Sequence, residues 1–122
     1  MMKYKLILFL CLILNLSCAQ TQTPSSKPIT SVTTDELKNV VLLDVRTPEE
    51  YQQGHLENSL NVNWYDSDFV QQVEGIDKDD TIYVYCKLGG RSAKAQEKLK
   101  SLGYKNVVNL EGGYDAWSSK KQ

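Results

Sequence analysis

One cysteine, set between an apolar run and a basic, glycine-rich turn, is the residue of this chain best placed to do chemistry. Cys86 follows Ile82, Tyr83, Val84 and Tyr85, and precedes Lys87, Leu88, Gly89, Gly90, Arg91 and Ser92. Gly89 and Gly90 admit backbone with positive φ, so successive N–H groups can turn inward as a cradle for an anion. The helix expected from Arg91 onward aims its partially positive end at the same point. Lys87 and Arg91 add full charges. A thiol held there is expected to ionise below the free value of about 8.5, because each of these features favours the thiolate. The loop therefore reads as a nucleophile combined with an anion pocket. The competing reading of a lone cysteine is a small buried apolar residue, but two glycines and an arginine beside it have no packing rationale.

The other two cysteines leave the count before the protein folds. Lys3 and Lys5 open a basic segment, residues 6–16 are almost wholly apolar, and Ser17 is a small residue directly before Cys18. This pattern describes a secretory leader and is too short for a comfortable membrane span. Its end resembles a bacterial lipoprotein signal, which implies cleavage before Cys18 and acylation of that residue. Asn15 departs from the leucine preferred three positions earlier. Cys11 is then lost with the leader, Cys18 carries lipid, and Cys86 is the remaining thiol. Exported proteins commonly use cysteines in pairs, and none is left here. A structural disulfide, a two-cysteine redox motif and a four-ligand zinc site built on His55 are excluded, and no metal or cofactor is expected. The anchor places the protein in the bacterial cell envelope, facing the periplasm. Ala19 rather than aspartate after the lipidated residue favours the outer membrane, by analogy.

Three segments follow: a signal peptide over 1–17, a flexible tether over 18–28 that is polar and carries Pro24 and Pro28, and a folded domain over 29–122. The chain has 14 basic and 15 acidic side chains, and loss of Lys3 and Lys5 leaves 12 against 15. A mildly acidic mature protein argues against nucleic acid as a partner. Lys94 and Lys98 read as a solvated helix face.

Positioning elements can be placed from local signals. Thr33 to Glu36 and Thr47 to Glu50 are capping boxes that open helices near 34–39 and 48–54, the second with Pro48 at its first position. The apolar run 40–45 suits a strand buried on both faces. A weak strand is expected over 60–63, a helix over 66–74 with Phe69, Val70 and Val73 inward, and a strand over 82–85. A helix over 91–102 stopped by Gly103 follows, then a strand over 106–110. Strands alternating with helices define an α/β fold with a mainly parallel central sheet and helices on both faces. Ligands bind such sheets at the carboxyl ends of the strands, where Cys86 falls.

The chain resembles a single-domain rhodanese over residues 29–117. Asp44, Arg46, Glu49, Glu50, Tyr51, Gly54 and His55 are similar to the family's first signature. Cys86, Gly89 and Arg91 match its Cys-x-x-Gly-x-Arg loop, and Gly112, Gly113 and Trp117 its closing signature. Leu56 to Asn63 departs from the family's proline-containing turn, which places the pocket rim in question. The resemblance implies a rhodanese-like fold and sulfurtransfer. The Cys86 thiolate would take a sulfane sulfur from thiosulfate or a similar small anionic donor, hold it as a persulfide, and pass it to a thiol or cyanide. Residues 87–92 would bind the donor, with Lys87 or Arg91 orienting its oxygens. Asp44 and Arg46 are either a structural pair or tune the loop from behind. His55 has no acid or base task in this mechanism, and Trp64, Tyr65 and Phe69 are read as packing residues. Two rivals follow from the same fold. One is a phosphatase, whose loop would have five residues between Cys and Arg where this chain has Lys87, Leu88, Gly89 and Gly90. The other is a non-catalytic binding or sulfur-carrier module.

Overall fold

The computed structural model describes residues 24–120. The leader, Cys18 and the first part of the tether lie outside the described residues. Among the described residues no helix is long and apolar enough to cross a membrane.

Among the described residues, five parallel strands form one sheet in the order β1-β5-β4-β2-β3. They are β1 (Ser26–Pro28), β2 (Val41–Asp44), β3 (Leu60–Asn61), β4 (Thr81–Tyr85) and β5 (Asn106–Glu111). Five α-helices connect and cover them: α1 (Thr34–Leu37), α2 (Pro48–Gln53), α3 (Phe69–Val73), α4 (Gly90–Ser101) and α5 (Gly113–Lys120). The central strand β4 alternates its side chains between two cores, as the pleat requires. Ile82 and Val84 face Leu43, Val107, Phe69, Val73, Ala95 and Leu99 on one side. Tyr83 and Tyr85 face Leu42, Val108, Leu110, Ile29 and Leu56 on the other, with Tyr114, Ala116 and Trp117 of α5 packed against them. Fully burying a leucine such as Leu99 contributes roughly 1.5–3 kcal/mol, and Leu99 and Ala95 are both wholly buried. These two contacts seat α4 on the sheet with its N-terminus beside the end of β4.

Both capping boxes form. Thr33 Oγ1 accepts from Glu36 N at 3.2 Å, and Thr47 Oγ1 accepts from Glu50 N at 3.3 Å while Glu50 Oε1 accepts from Thr47 N at 3.2 Å. The expected strand over 60–63 is shorter. Asn63 Oδ1 accepts from Tyr65 N and its amide donates to Asp66, which folds the chain into a turn. That turn also delays α3 until Phe69.

The tether expected over 18–28 ends earlier than its composition suggested. Ser26, Lys27 and Pro28 pair in register with Asn109, Leu110 and Glu111, and the Ser25 carbonyl accepts from Asn109 N at 3.0 Å. Lys27 forms an ion pair with Glu36. The folded domain therefore begins by Ser25, not Ile29. Proline at the end of a strand on the sheet's edge is tolerated because its missing N–H is not called on by a neighbour. Nor was α5 expected as a helix: the sequence reading placed Gly112, Gly113 and Trp117 only in a closing signature, and the structure adds two helical turns after Gly112.

Candidate active site

Cys86 stands at the carboxyl end of β4, the sheet's middle strand, immediately before the turn into α4. Gly89 takes φ 123°, a conformation that favours glycine, and hands the chain to α4. That turn folds the amides back on the sulfur. Gly89 N donates to Cys86 Sγ at 3.0 Å and Ser92 Oγ donates at 3.3 Å, with Ser92 Oγ also 3.1 Å from the Gly89 carbonyl. Burial pushes the Cys86 thiol up. The Ser92 hydroxyl and the amides of Ser92, Gly89 and Leu88 more than offset it, and the net direction is down. The residue is 1% exposed, whereas Leu88 on the outside of the loop is 69% exposed. The amide cradle expected from the two glycines is thus formed by Leu88, Gly89 and Ser92, with Gly90 exposed at the start of α4.

The loop is held from behind by α5. Tyr114 N donates to the Cys86 carbonyl at 2.8 Å and Asp115 N to the Lys87 carbonyl at 3.2 Å. Gly113, at φ 62°, lies so close that a Cβ there would sit 2.5 Å from Cys86 O and 2.4 Å from Lys87 O. The first N–H groups of a helix have no partner within it, and here they fix the loop's carbonyls outward so that its amides point at sulfur.

The two basic loop residues are both engaged. Lys87 Nζ is 2.6 Å from Asp115 Oδ2 and half exposed. Arg91 forks onto Glu50, Nη1 to Oε1 at 2.7 Å and Nη2 to Oε2 at 2.9 Å. The Arg91 bond holds the Glu50 carboxyl down at about 2 against an opposing burial effect, with the Thr47 amide and hydroxyl assisting. Glu50 raises the Arg91 guanidinium in turn, and the charge on Cys86 adds to that. Arg91 also stands 5.7 Å from the ring of Tyr65, which is 68% exposed. Trp64 and Phe69 make an edge contact at 5.1 Å and belong to the core.

Asp44 and Arg46 form a buried pair. Arg46 Nη2 and Nε reach Asp44 Oδ2 at 2.7 and 3.1 Å, and Nη2 also donates to Gly54 O at 2.7 Å. Tyr85 completes the network by donating to Asp44 Oδ2 at 2.7 Å while accepting from Leu56 N at 3.1 Å. Arg46 stacks over Tyr114 at 4.3 Å, so the first signature, β4 and α5 are joined behind the loop. A cleft of about 150 Å3 beside the loop is lined by Arg46, Glu50, Gln53, Lys87, Tyr114 and Asp115. His55 is exposed, stacks on Tyr51 at 3.6 Å, and has Nδ1 2.8 Å from Tyr51 O.

Asp115 and Tyr85 are site residues that sequence reasoning passed over, and Glu50 and Gly113 were given a place in the family signatures but no part in the loop. Glu50 had a complete local explanation as the far half of a capping box, and its second role depends on an arginine 41 positions away.

A thiol ringed by amides at the carboxyl end of a parallel strand, with an arginine in the first turn of the next helix, is the arrangement at the centre of this α/β fold. The rhodanese-like domain model matches residues 33–120, and the chain belongs to that family. It is 37% identical over 109 residues to thiosulfate sulfurtransferase 16, chloroplastic, of Arabidopsis thaliana, covering 81% of this chain and 91% of that protein. It is 41% identical over 100 residues to adenylyltransferase and sulfurtransferase UBA4 of Candida albicans, covering 77% of this chain but only 23% of that larger protein. Among solved structures, a rhodanese-related protein from Thermoplasma volcanium aligns with a TM-score of 0.69 at 32% identity, covering 80% of this chain and 93% of that one.

Proposed function

We propose that this protein is a sulfurtransferase that carries sulfane sulfur as a persulfide on Cys86. The observation that carries the reading is the sulfur's own environment: Gly89 N at 3.0 Å and Ser92 Oγ at 3.3 Å, in a loop whose carbonyls are tied to α5. Groups that stabilise a thiolate also stabilise the negative charge of a persulfide and of the transition state joining them. With thiosulfate, the thiolate attacks the sulfane sulfur, the donor's S–S bond breaks, and sulfite leaves with the electron pair. With cyanide, the terminal sulfur is removed as thiocyanate and the thiolate is restored. A thiol acceptor completes the same second displacement and takes the persulfide. Each step is a displacement at sulfur, and the loop supplies charge stabilisation, orientation and exclusion of water from a buried nucleophile. Relatives named as thiosulfate sulfurtransferases support the reading.

The test is whole-protein mass before and after thiosulfate. A gain of one sulfur, removed by cyanide, is the expected result; no gain from thiosulfate or from an alkyl persulfide transfers support to a non-catalytic binding domain, and release of phosphate from an aryl phosphate favours a phosphatase. Alkylation of Cys86 followed against pH gives a second expected outcome. Because the thiol is shifted down, reactivity rises through a midpoint below the free value of about 8.5 and is flat above it. A midpoint at or above that value contradicts an activated thiolate.

The leader pattern supports the further proposal that the enzyme is tethered to the cell envelope by acylated Cys18, facing the periplasm. Full-length protein is then expected to partition into detergent and Cys18→Ala to lose that behaviour. Wild-type protein recovered free of lipid, with an unmodified mature N-terminus, sinks the anchor.

A further inference from the structure

Each of the cations described at this site already has a carboxylate partner. Arg46 is forked onto Asp44, Lys87 meets Asp115 at 2.6 Å, and Arg91 is forked onto Glu50 at 2.7 and 2.9 Å. Before the thiol ionises, the formal charge of these six side chains cancels. Attraction for an incoming anion is then left to backbone N–H groups and Ser92, which are also the groups engaged with Sγ. The three pairs are not equivalent. Asp44 and Arg46 are sealed in the core, and Lys87 and Asp115 are half exposed, where water and salt screen them. Arg91 and Glu50 are 18% and 27% exposed, and Arg91 stands in the first turn of the helix that abuts the sulfur. A charge change at that pair is the one most strongly felt by a donor.

We propose that Glu50 is a specificity-determining residue. By cancelling the Arg91 charge beside the Cys86 loop it disfavours doubly charged oxyanion donors and directs the site toward alkyl persulfides, R–S–SH, whose sulfane sulfur arrives with at most one charge. The inference rests on the sulfurtransferase reading. The Cys86 thiolate attacks the outer sulfur of R–S–SH, the donor S–S bond breaks, and its electron pair leaves on R–S⁻. The proton stays on the transferred sulfur, giving Cys86–S–SH with no net oxidation. Thiosulfate undergoes the same displacement but brings two negative charges against a thiolate with no unpaired cation among these residues to receive them.

Glutamine at position 50 removes the charge and keeps the helix, because glutamine serves as the far half of a capping box as glutamate does. The experiment measures sulfur loading of Cys86 by intact mass, with thiosulfate and the persulfide of 2-mercaptoethanol as donors. Wild type, E50Q, R91Q and the double variant are compared, in which the pair is neutral, positive, negative and neutral. The readout is the ratio of loading efficiencies for the two donors, from which a general loss of folded protein cancels. A unit charge within several ångströms of a dianion is expected to move that ratio about tenfold, upward in E50Q and downward in R91Q. The double variant is expected to return to within about threefold of wild type, and the E50Q gain to shrink as salt shortens the Debye length. A ratio that is unchanged in E50Q and R91Q, or that falls in E50Q, overturns the proposal. Wild type that gains no mass from either donor overturns the sulfurtransferase reading beneath it, and is told apart by the absence of any loading to compare.

Discussion

Replacing Cys86 by serine is expected to abolish sulfur transfer from thiosulfate to cyanide, a loss of at least about a thousandfold, because a serine hydroxyl stays protonated where the thiol ionises. The substitution removes the nucleophile and leaves its surroundings in place. Gly89 N and the Ser92 hydroxyl retain an oxygen to bond, and the loop's carbonyls keep their contacts with Tyr114 N and Asp115 N. Thermal stability should therefore change little while turnover disappears and the one-sulfur mass gain vanishes. A Cys86→Ser protein that still transfers sulfur would show that the chemistry resides elsewhere, and the cradle around Sγ would need another explanation.

Asp44→Ala is expected to cost about 3–5 kcal/mol of stability, because removing one partner of a buried pair leaves the other charge uncompensated. Arg46 is 3% exposed and Asp44 is wholly buried, so water does not replace the lost carboxylate. The Tyr85 hydroxyl loses its 2.7 Å charged acceptor at the same time and keeps only the longer contact with Ser59 Oγ at 3.2 Å. Against a typical total of about 5–15 kcal/mol for a domain this size, the loss is a large fraction. Tyr85→Phe, which removes the hydroxyl's bonds with Asp44, Leu56 N and Ser59 but no charge, should cost about 1–3 kcal/mol. Urea denaturation measures both. A loss below about 1 kcal/mol for Asp44→Ala, with unchanged slope, would mean that the network is not what ties β2 to β4 and to the segment before β3.

The direction of these effects could not have been read from residue types alone. Sequence spacing left Asp44 and Arg46 open as either a pair or separate contributors. Their two-residue separation at the end of β2 allows the Arg46 side chain to fold back, but β4 decides that Tyr85 lies across from them and α5 that Tyr114 covers the guanidinium. Lys87, offered with Arg91 as a residue to orient a donor, reaches Asp115 in a helix the sequence did not announce.

What the sequence determined by itself is the set of features whose causes lie within a few residues. The capping boxes at Thr33 and Thr47, the apolar runs that become β2, β4 and β5, and the glycine turn that aims amides at Cys86 all arise from neighbours in the chain. Backbone stereochemistry and local hydrogen bonding act at that range. Only the tertiary structure decided the partners. Arg91 chose Glu50 from 41 positions away, Lys87 chose Asp115 from 28 away, and β1 joined β5 across nearly the whole domain. The chain offers 15 acidic side chains of nearly identical charge, so charge alone cannot select among them. The parallel strand order selects, by bringing the ends of β2, β4 and β5 and the helices that follow them to one edge of the sheet.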